Sequence, residues 1–194
     1  MEKNIKPSQG YLALAISILM LFSPFLIFAD TNNLLLITGT IVLSFFSIFG
    51  FVGLFVVNPN ESMVLILFGK YMGTARENGF FWVNPFYAKK KISLRARNLE
   101  SESLKVNDKM GNPIIISVVM VWRIRDTYKA AFEVDNYEVF VKTQTEAAVR
   151  KLAHTYPYDT FDDAQEEISL RAGGDEINAE LEREISERLA IAGV

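Results

Sequence analysis

Two uncharged apolar runs, Tyr11–Ala29 and Leu34–Val57, stand back to back near the start of the chain, with only Asp30-Thr31-Asn32-Asn33 between them. Runs of 19 and 24 residues without a charge meet the need for about 20 apolar residues in a membrane-spanning helix. At about 1.5 Å per residue they reach roughly 28 and 36 Å, the second with some tilt. A link this short predicts a two-helix transmembrane hairpin (11–29 and 34–57) behind a short tail, residues 1–10. A domain over 58–194 is then tethered on the same side as the N-terminus. A cleaved leader would share Lys3, Lys6 and a site at Ile27-Phe28-Ala29. Its apolar core, however, is usually about 7–15 residues, so the length favours a retained helix. In either case Leu34–Val57 remains as an anchor.

Basic residues near spans stay cytoplasmic. Lys3 and Lys6 precede the helices, Lys70, Arg76, Lys89, Lys90 and Lys91 follow them, and the connecting turn carries only Asp30. The N-terminus and the domain are therefore expected on the cytoplasmic side of an inner or plasma membrane. The absence of cysteine excludes disulfides and thiolate metal sites. A single histidine, His154, excludes a His-rich metal site within one chain. The net charge of −3 is unevenly spread: Lys70–Arg97 is basic, whereas Asp159–Glu187 holds eleven acidic residues. This asymmetry suggests one end near anionic lipid and the other facing water or partners.

Beyond the apolar runs, Glu61–Phe68 reads as a strand closed by Gly69 and Gly73. Lys91–Arg97 alternates Ile92, Leu94 and Ala96 with polar residues, a half-buried strand continuing through Asn98–Val106. Asn107–Pro113 is turn chemistry, with Gly111 free to take positive φ. Ile114–Ile124 is the longest β-branched run and is expected as a central strand. The period then lengthens. Asp126 can cap a short helix to Phe132, and a longer helix over Asn136–His154 presents Tyr137, Val141, Ala148 and Leu152 on one stripe. Tyr156-Pro157-Tyr158 ends it, Phe161–Ala172 reads as helix, and Gly173-Gly174 interrupts. Asp175 then caps a last helix with Ile177, Leu181, Ile185 and Leu189 four apart. Strands first (58–125) and helices after (126–194) predict an α+β domain.

Gly79–Tyr87 carries Phe80, Phe81, Trp82, Phe86 and Tyr87, followed by Lys89, Lys90 and Lys91. This composition suits a loop in the headgroup layer, where aromatics collect and each lysine near an anionic surface adds about 1 kcal/mol. The same rings could instead fill a core. The charged face of the last helix (Glu180, Glu182, Arg183, Glu184, Glu187) is either simply solvated or a subunit contact. Four-residue spacing argues for a packed domain helix over a coiled coil. Asp159, Asp162 and Asp163 lie near His154, where a carboxylate–histidine pair could do acid–base work, but no nucleophile accompanies them. Asp162 and Asp163 fit better as dipole partners at a helix N-terminus. Gly69-x-x-x-Gly73 lacks the Lys-Ser/Thr of a phosphate loop. Gly50 and Gly53 permit close approach to the first helix, and Pro24 can kink that helix.

From Asn58 the chain resembles the SPFH or band 7 family, which includes stomatins, prohibitins, flotillins and bacterial slipin-like proteins. Four stretches carry the resemblance in register: "VNPNESMVLILFGKYMGTARENGFFWVNPFY", "VNDKMGNPIIISVVMVWRIRD", "VKTQTEAAVRKLAHTYPYD" and "DEINAELEREISERLAIAGV". The resemblance implies an α+β SPFH-like domain, with mixed or antiparallel sheet and packed helices, that hugs the membrane. It also implies assembly of copies into a large ring or cage. Family members usually continue into a further strand and a long coiled-coil helix, so a C-terminal part is expected beyond Val194.

The function expected on this basis is a membrane-anchored, homo-oligomeric scaffold that organises a microdomain or encloses partners. By resemblance the partners are lipid, further copies, AAA+ membrane proteases and small membrane proteins with soluble β-barrel domains. No catalytic residue, cofactor, metal or nucleic-acid partner is expected. Two alternatives belong to other classes: a membrane-tethered hydrolase near His154 and Asp159, or an accessory transporter subunit. For the latter the second helix offers only Thr38, Thr40, Ser44 and Ser47 as polar lining.

Overall fold

The computed structural model describes residues 2–28, 33–159 and 168–194, which divide into two compact units, Met1–Ser93 and Leu94–Val194. The division at 93/94 falls inside the β-rich stretch, while the strands end at Trp122 and the helices begin at Thr127. The reason lies in the hydrogen bonding: strand ladders close within each unit.

The first unit contains two three-stranded sheets. One has the order β1-β5-β2, with β1 (Ser8–Gln9) and β2 (Leu54–Val57) both antiparallel to β5 (Gly79–Trp82). The other has the order β4-β3-β6, built from β3 (Glu61–Leu67), β4 (Lys70–Ala75) and β6 (Tyr87–Ser93). Consecutive residues on a strand face opposite ways, yet Val64 and Leu65 are both 0% exposed, so β3 is covered on both faces. Its ESMVLIL sequence suits that position, because β-branched and aliphatic side chains pack on a pleated surface. Phe55, Val57, Leu65, Ala75 and Val83 form the core, with Met63, Phe81 and Tyr87 against it.

Helices α1 (Gly10–Phe28) and α2 (Leu34–Val52) also belong to this unit. They run antiparallel in contact: the Ser44 hydroxyl donates to the carbonyls of Met20 and Leu21, each at 3.2 Å. Their seam is made of small residues. Ser17, Ser23, Thr40 and Ser47 are buried, and Gly50 leaves no room for a side chain beside Ser17. Each of the four buried hydroxyls donates to a carbonyl three or four residues back in its own helix, so the seam buries no unsatisfied polar group. The connecting residues Asp30, Thr31 and Asn32, and the candidate cleavage site ending at Ala29, lie outside the described residues. Asn33 caps α2, its side chain accepting from the Leu35 amide at 3.1 Å.

The second apolar run, expected as one helix over 34–57, divides at Gly53. Helix α2 stops at Val52, and Leu54–Val57 becomes β2. Gly53 lies against the Trp82 indole and the Val83 carbonyl, where a Cβ would overlap both. Beyond it, pairing with β5 replaces the helical hydrogen bonds, turning Phe55 and Val57 inward and Val56 outward.

The second unit pairs β7 (Arg97–Glu100) with β10 (Val119–Trp122), and β8 (Leu104–Asn107) with β9 (Pro113–Ile116), both antiparallel. Three helices follow: α3 (Thr127–Phe132), α4 (Tyr137–Thr155) and α5 (Gly174–Leu189). Asp126 caps α3 through the Lys129 amide, and Asn136 caps α4. The inward stripe of α4 contains Val141, Thr145, Ala148 and Leu152. Val149 and Ala153 of α4 join Leu104, Val106, Ile114 and Leu181 in the core.

Four sequence expectations change in this unit. Ile114–Ile124 is not one central strand: Val118 exchanges hydrogen bonds with Ser101, at 2.9 Å to its amide and 2.8 Å to its hydroxyl, which separates β9 from β10. Val119 and Val121 are consequently 73% and 68% exposed. The alternating run Lys91–Arg97 breaks after Ser93, and Ala96 is exposed. Of the expected helix Phe161–Ala172, residues 160–167 (with Asp162 and Asp163) lie outside the described residues, and Leu170–Ala172 is a turn. Asp175 is not the cap of α5: Gly173 holds that position, and Asp175 with Glu176 occupies the first turn, where acids favour the positive dipole end.

The β8–β9 turn is built on Asp108, only 3% exposed. Its carboxylate accepts from the Asn112 amide at 2.7 Å, the Asn112 side chain at 3.1 Å and the Tyr158 amide at 3.0 Å. Burial pushes the Asp108 carboxyl upward, but these hydrogen bonds outweigh it and hold the group below the usual aspartate range.

Two outcomes follow. Leu65→Ala should destabilise the first unit by about 2–5 kcal/mol, as expected for a fully buried Leu, read from denaturant unfolding in detergent. A depressed carboxyl stabilises the fold above its unfolded-state value, about 3.9, and that contribution is lost as pH falls through the lower folded value. Asp108→Asn should therefore lower the thermal midpoint at pH 7 and flatten its acid-side decline. The melting curves of variant and parent should converge at the acid end.

Candidate functional site

Both helices of the first unit are rooted on one strand. β1 runs into α1 without an intervening residue, α2 runs into β2 through Gly53 alone, and β5 lies between β1 and β2. At Gly10, the first residue of α1, a Cβ would lie 2.8 Å from the Phe80 ring and 2.9 Å from the Phe81 amide. The Trp82 indole N–H donates to the Gly50 carbonyl at 2.9 Å, and the Val83 amide to the Gly53 carbonyl at 3.0 Å. These two donors satisfy carbonyls at the helix end that have no intrahelical partner.

Phe80, Phe81 and Trp82 are thus half-buried strand residues, not a loop. Phe81 packs on Phe55 at 6.0 Å between ring centroids, and Phe80 meets Tyr11 edge-on at 5.2 Å. Tyr87 starts β6 and packs on the core. Phe86, in contrast, stands 59% exposed. Its ring lies 6.2 Å from Phe49 of α2 and 6.2 Å from Phe68.

Sequence reasoning missed Phe68. It is 85% exposed and sits with Gly69 in the two-residue turn joining β3 to β4, at φ 46° and 81°. Positive φ at both turn positions matches the twist of a β-hairpin and favours Asn-Gly. A bulky side chain there costs about 1–2 kcal/mol. A Phe-Gly pair directly after an apolar strand was the available signal. Phe68, Phe86, Phe49 and Phe45 form a chain of ring contacts continuous with the exposed apolar side of α2, where Phe45, Phe46 and Ile48 stand outward.

The three lysines have separate tasks. Lys89 donates to the Val52 carbonyl at 2.6 Å and the Leu54 carbonyl at 3.4 Å and lies over the Phe55 ring. It therefore caps the end of α2, where a cation favours the helix dipole, and burial lowers its pKa. Lys91 pairs with Glu61 of the neighbouring strand at 2.7 Å. Lys90 is exposed on β6, the outer strand of its sheet.

Among the described residues one helix, α2, is long and apolar enough to cross a membrane. Within α1, which runs 19 residues to Phe28, the apolar stretch found among the described residues is Gly10–Phe25.

In the second unit the charged face of α5 is divided. Glu184 turns toward α4, pairing with Lys151 and Arg188 at 2.6 Å each, and those two hydrogen bonds hold its carboxyl below the usual range. Glu180 pairs with Arg183 along the helix at 2.8 Å. Glu187 faces outward, and Glu182 lines a cavity of about 820 Å³ between β10 and α5 with Val119, Val121, Arg123, Leu181 and Ile185. Neither His154 nor Asp159 lines that cavity. His154 is exposed in the last turn of α4, and Asp159 pairs with Arg171 at 2.7 Å.

No curated protein matches the chain. Residues 55–194 match the SPFH domain / Band 7 family. The match starts within β2, two residues after the turn of α2 into the sheet, and runs through both units to the last residue. It covers well over half of the chain, which therefore belongs to the SPFH domain / Band 7 family.

Proposed function

We propose that this protein is a membrane-anchored scaffold, with α1 and α2 crossing the bilayer together and the remainder of the chain held at its cytoplasmic face. The observation that carries this reading is the common root of the helices. Two apolar helices, packed along a small-residue seam, spring from opposite edges of β5 and leave their outer sides apolar and exposed. Exposed apolar surface of that extent marks a lipid- or protein-binding region. Family membership supports a membrane-associated scaffold in general.

The exposed pair Phe68 and Phe86 sits beside α2 and fits insertion at the interface, where aromatic rings are favoured. Phe80, Phe81, Trp82 and Tyr87 back this belt from within, and Lys90 is placed for anionic headgroups. Lateral association of copies would use the outward residues of α5, Glu182 and Glu187, with Glu180, Arg183 and Glu184 tied to intramolecular partners. Association into a ring or cage would enclose or organise partners: an AAA+ membrane protease, or a small membrane protein with a soluble β-barrel domain. The work is burial and lipid contact, not bond-making. Among the described residues His154 is exposed and Asp159 is paired with Arg171, which speaks against the hydrolase reading.

Light scattering or native electron microscopy on protein extracted in mild detergent tests the scaffold. A closed assembly of many copies is expected, and a uniform monomer or dimer would sink the cage. Membrane contact has its own test, made simple by the absence of cysteine. Spin labels placed through Phe68→Cys and Phe86→Cys in bilayers should be relaxed by oxygen more than by a water-soluble nickel complex, with the reverse ranking at Phe132→Cys. Phe68→Gly should separate the two roles of that residue. Release of the unfavourable φ should raise stability by about 1 kcal/mol while vesicle attachment of the protein weakens.

A further inference from the structure

The residues ahead of α1 are bound along the first unit. The Ile5 amide donates to the Thr74 carbonyl at 3.0 Å, and the Thr74 amide donates to the Lys3 carbonyl at 2.8 Å. This is a parallel bridge centred on Asn4 and Thr74 along the outer edge of β4. After Lys6 and Pro7, Ser8 and Gln9 pair with Trp82 and Phe81 on the edge of β5. An extended segment added to open sheet edges in this way is the geometry of peptide capture by strand addition.

The edge is also shaped for the side chains it holds. Gly73, at φ 151°, has no Cβ, and the space is filled by Ile5. The Arg76 guanidinium grips the Glu2 carboxylate through two hydrogen bonds, at 2.8 and 2.7 Å, and the Glu2 side chain is largely buried. Bidentate pairs of this kind fix geometry as well as adding strength. The Tyr71 hydroxyl accepts from the Lys3 amide at 3.2 Å. Lys6 and Glu77 meet at 3.1 Å, both well exposed, a contact of little energetic weight.

We infer that the joined edges of β4 and β5 form a peptide-recognition site whose occupant is the chain's own residues 2–9, an acid followed three residues later by an aliphatic, and that this strap locks α1 onto the domain. The strap ends where α1 begins. Its release would uncover one edge of β5 and free the root of α1, leaving α2 as the single fixed helix. The site discriminates through Arg76 for the acid and through the notch at Gly73 for the aliphatic side chain.

Hydrogen exchange read by mass spectrometry on the detergent-solubilised full chain tests this, independently of any assembly. Peptides covering residues 2–9 and 70–77 should both be protected in the parent. Arg76→Glu should speed exchange at Ile5 and Thr74 by at least fivefold, and the double exchange Glu2→Arg with Arg76→Glu should restore most of the protection. Unprotected Ile5 and Thr74 in the parent, or failure of the double variant to recover, would overturn the strap. Recovery of a membrane-extracted protein that lacks residues 2–9 would overturn it equally. A monomer with both peptides protected would leave the strap intact and count only against the scaffold.

Discussion

Everything in the first unit depends on the pairing of one four-residue strand with two others. β5 supplies backbone partners to β1 and β2 at once, and each neighbour is the direct extension of an apolar helix. Main-chain hydrogen bonds are obligatory wherever water is excluded. A strand that satisfies both helix roots therefore determines where the helices leave the sheet. The side chains of β5 add to this. Phe80 and Phe81 close on Gly10, and the Trp82 indole reaches the last turn of α2. Glycine at positions 10 and 53 permits that approach, since any larger residue would meet β5 itself.

The helix pair solves a second problem. Two apolar helices in lipid gain little from hydrophobic burial against each other, because lipid tails are equally apolar. Close packing of small residues then supplies the attraction. Ser17, Ser47, Thr40 and Gly50 fit this requirement, and the hydroxyls of the first three are already satisfied by their own helices. Among the described residues the polarity along the seam is thus met within each helix. In the second unit the balance differs. There, aliphatic residues of α4 meet a β-hairpin, and charges such as Glu184 are held by neighbours across α4 and α5.

Much of this was legible in the amino-acid sequence because it rests on local chemistry. Asp126 and Asn136 announce the starts of α3 and α4, Gly111 announces the β8–β9 turn, and the apolar stripe of α4 gives its inward face. The class of fold and the family follow from the order of these signals. The errors came where a distant segment competes with local preference. Leu54–Val57 is as apolar as the helix before it, and only β5, some 25 residues later, makes it a strand. Ile114–Ile124 looks continuous, but Ser101 takes the bonds of Val118. Lys89 reads as a headgroup ligand in isolation, whereas folding brings it to the carbonyl end of α2. Nothing in residues 2–9 betrays a strap, since its partner strand begins some 60 residues later.

The junction at Gly53 has a mechanical meaning. Gly53 alone separates α2 from β2, and the Trp82 indole and the Lys89 ammonium bond to carbonyls on either side of it. An apolar helix responds to the thickness of the bilayer around it by changing its tilt. In the membrane-anchored arrangement proposed above, a change of tilt carried through this joint would swing the attached sheet as a lever swings about its fulcrum. A thin or thick patch of membrane would thereby be converted into an orientation of the surface that carries Phe68 and Phe86.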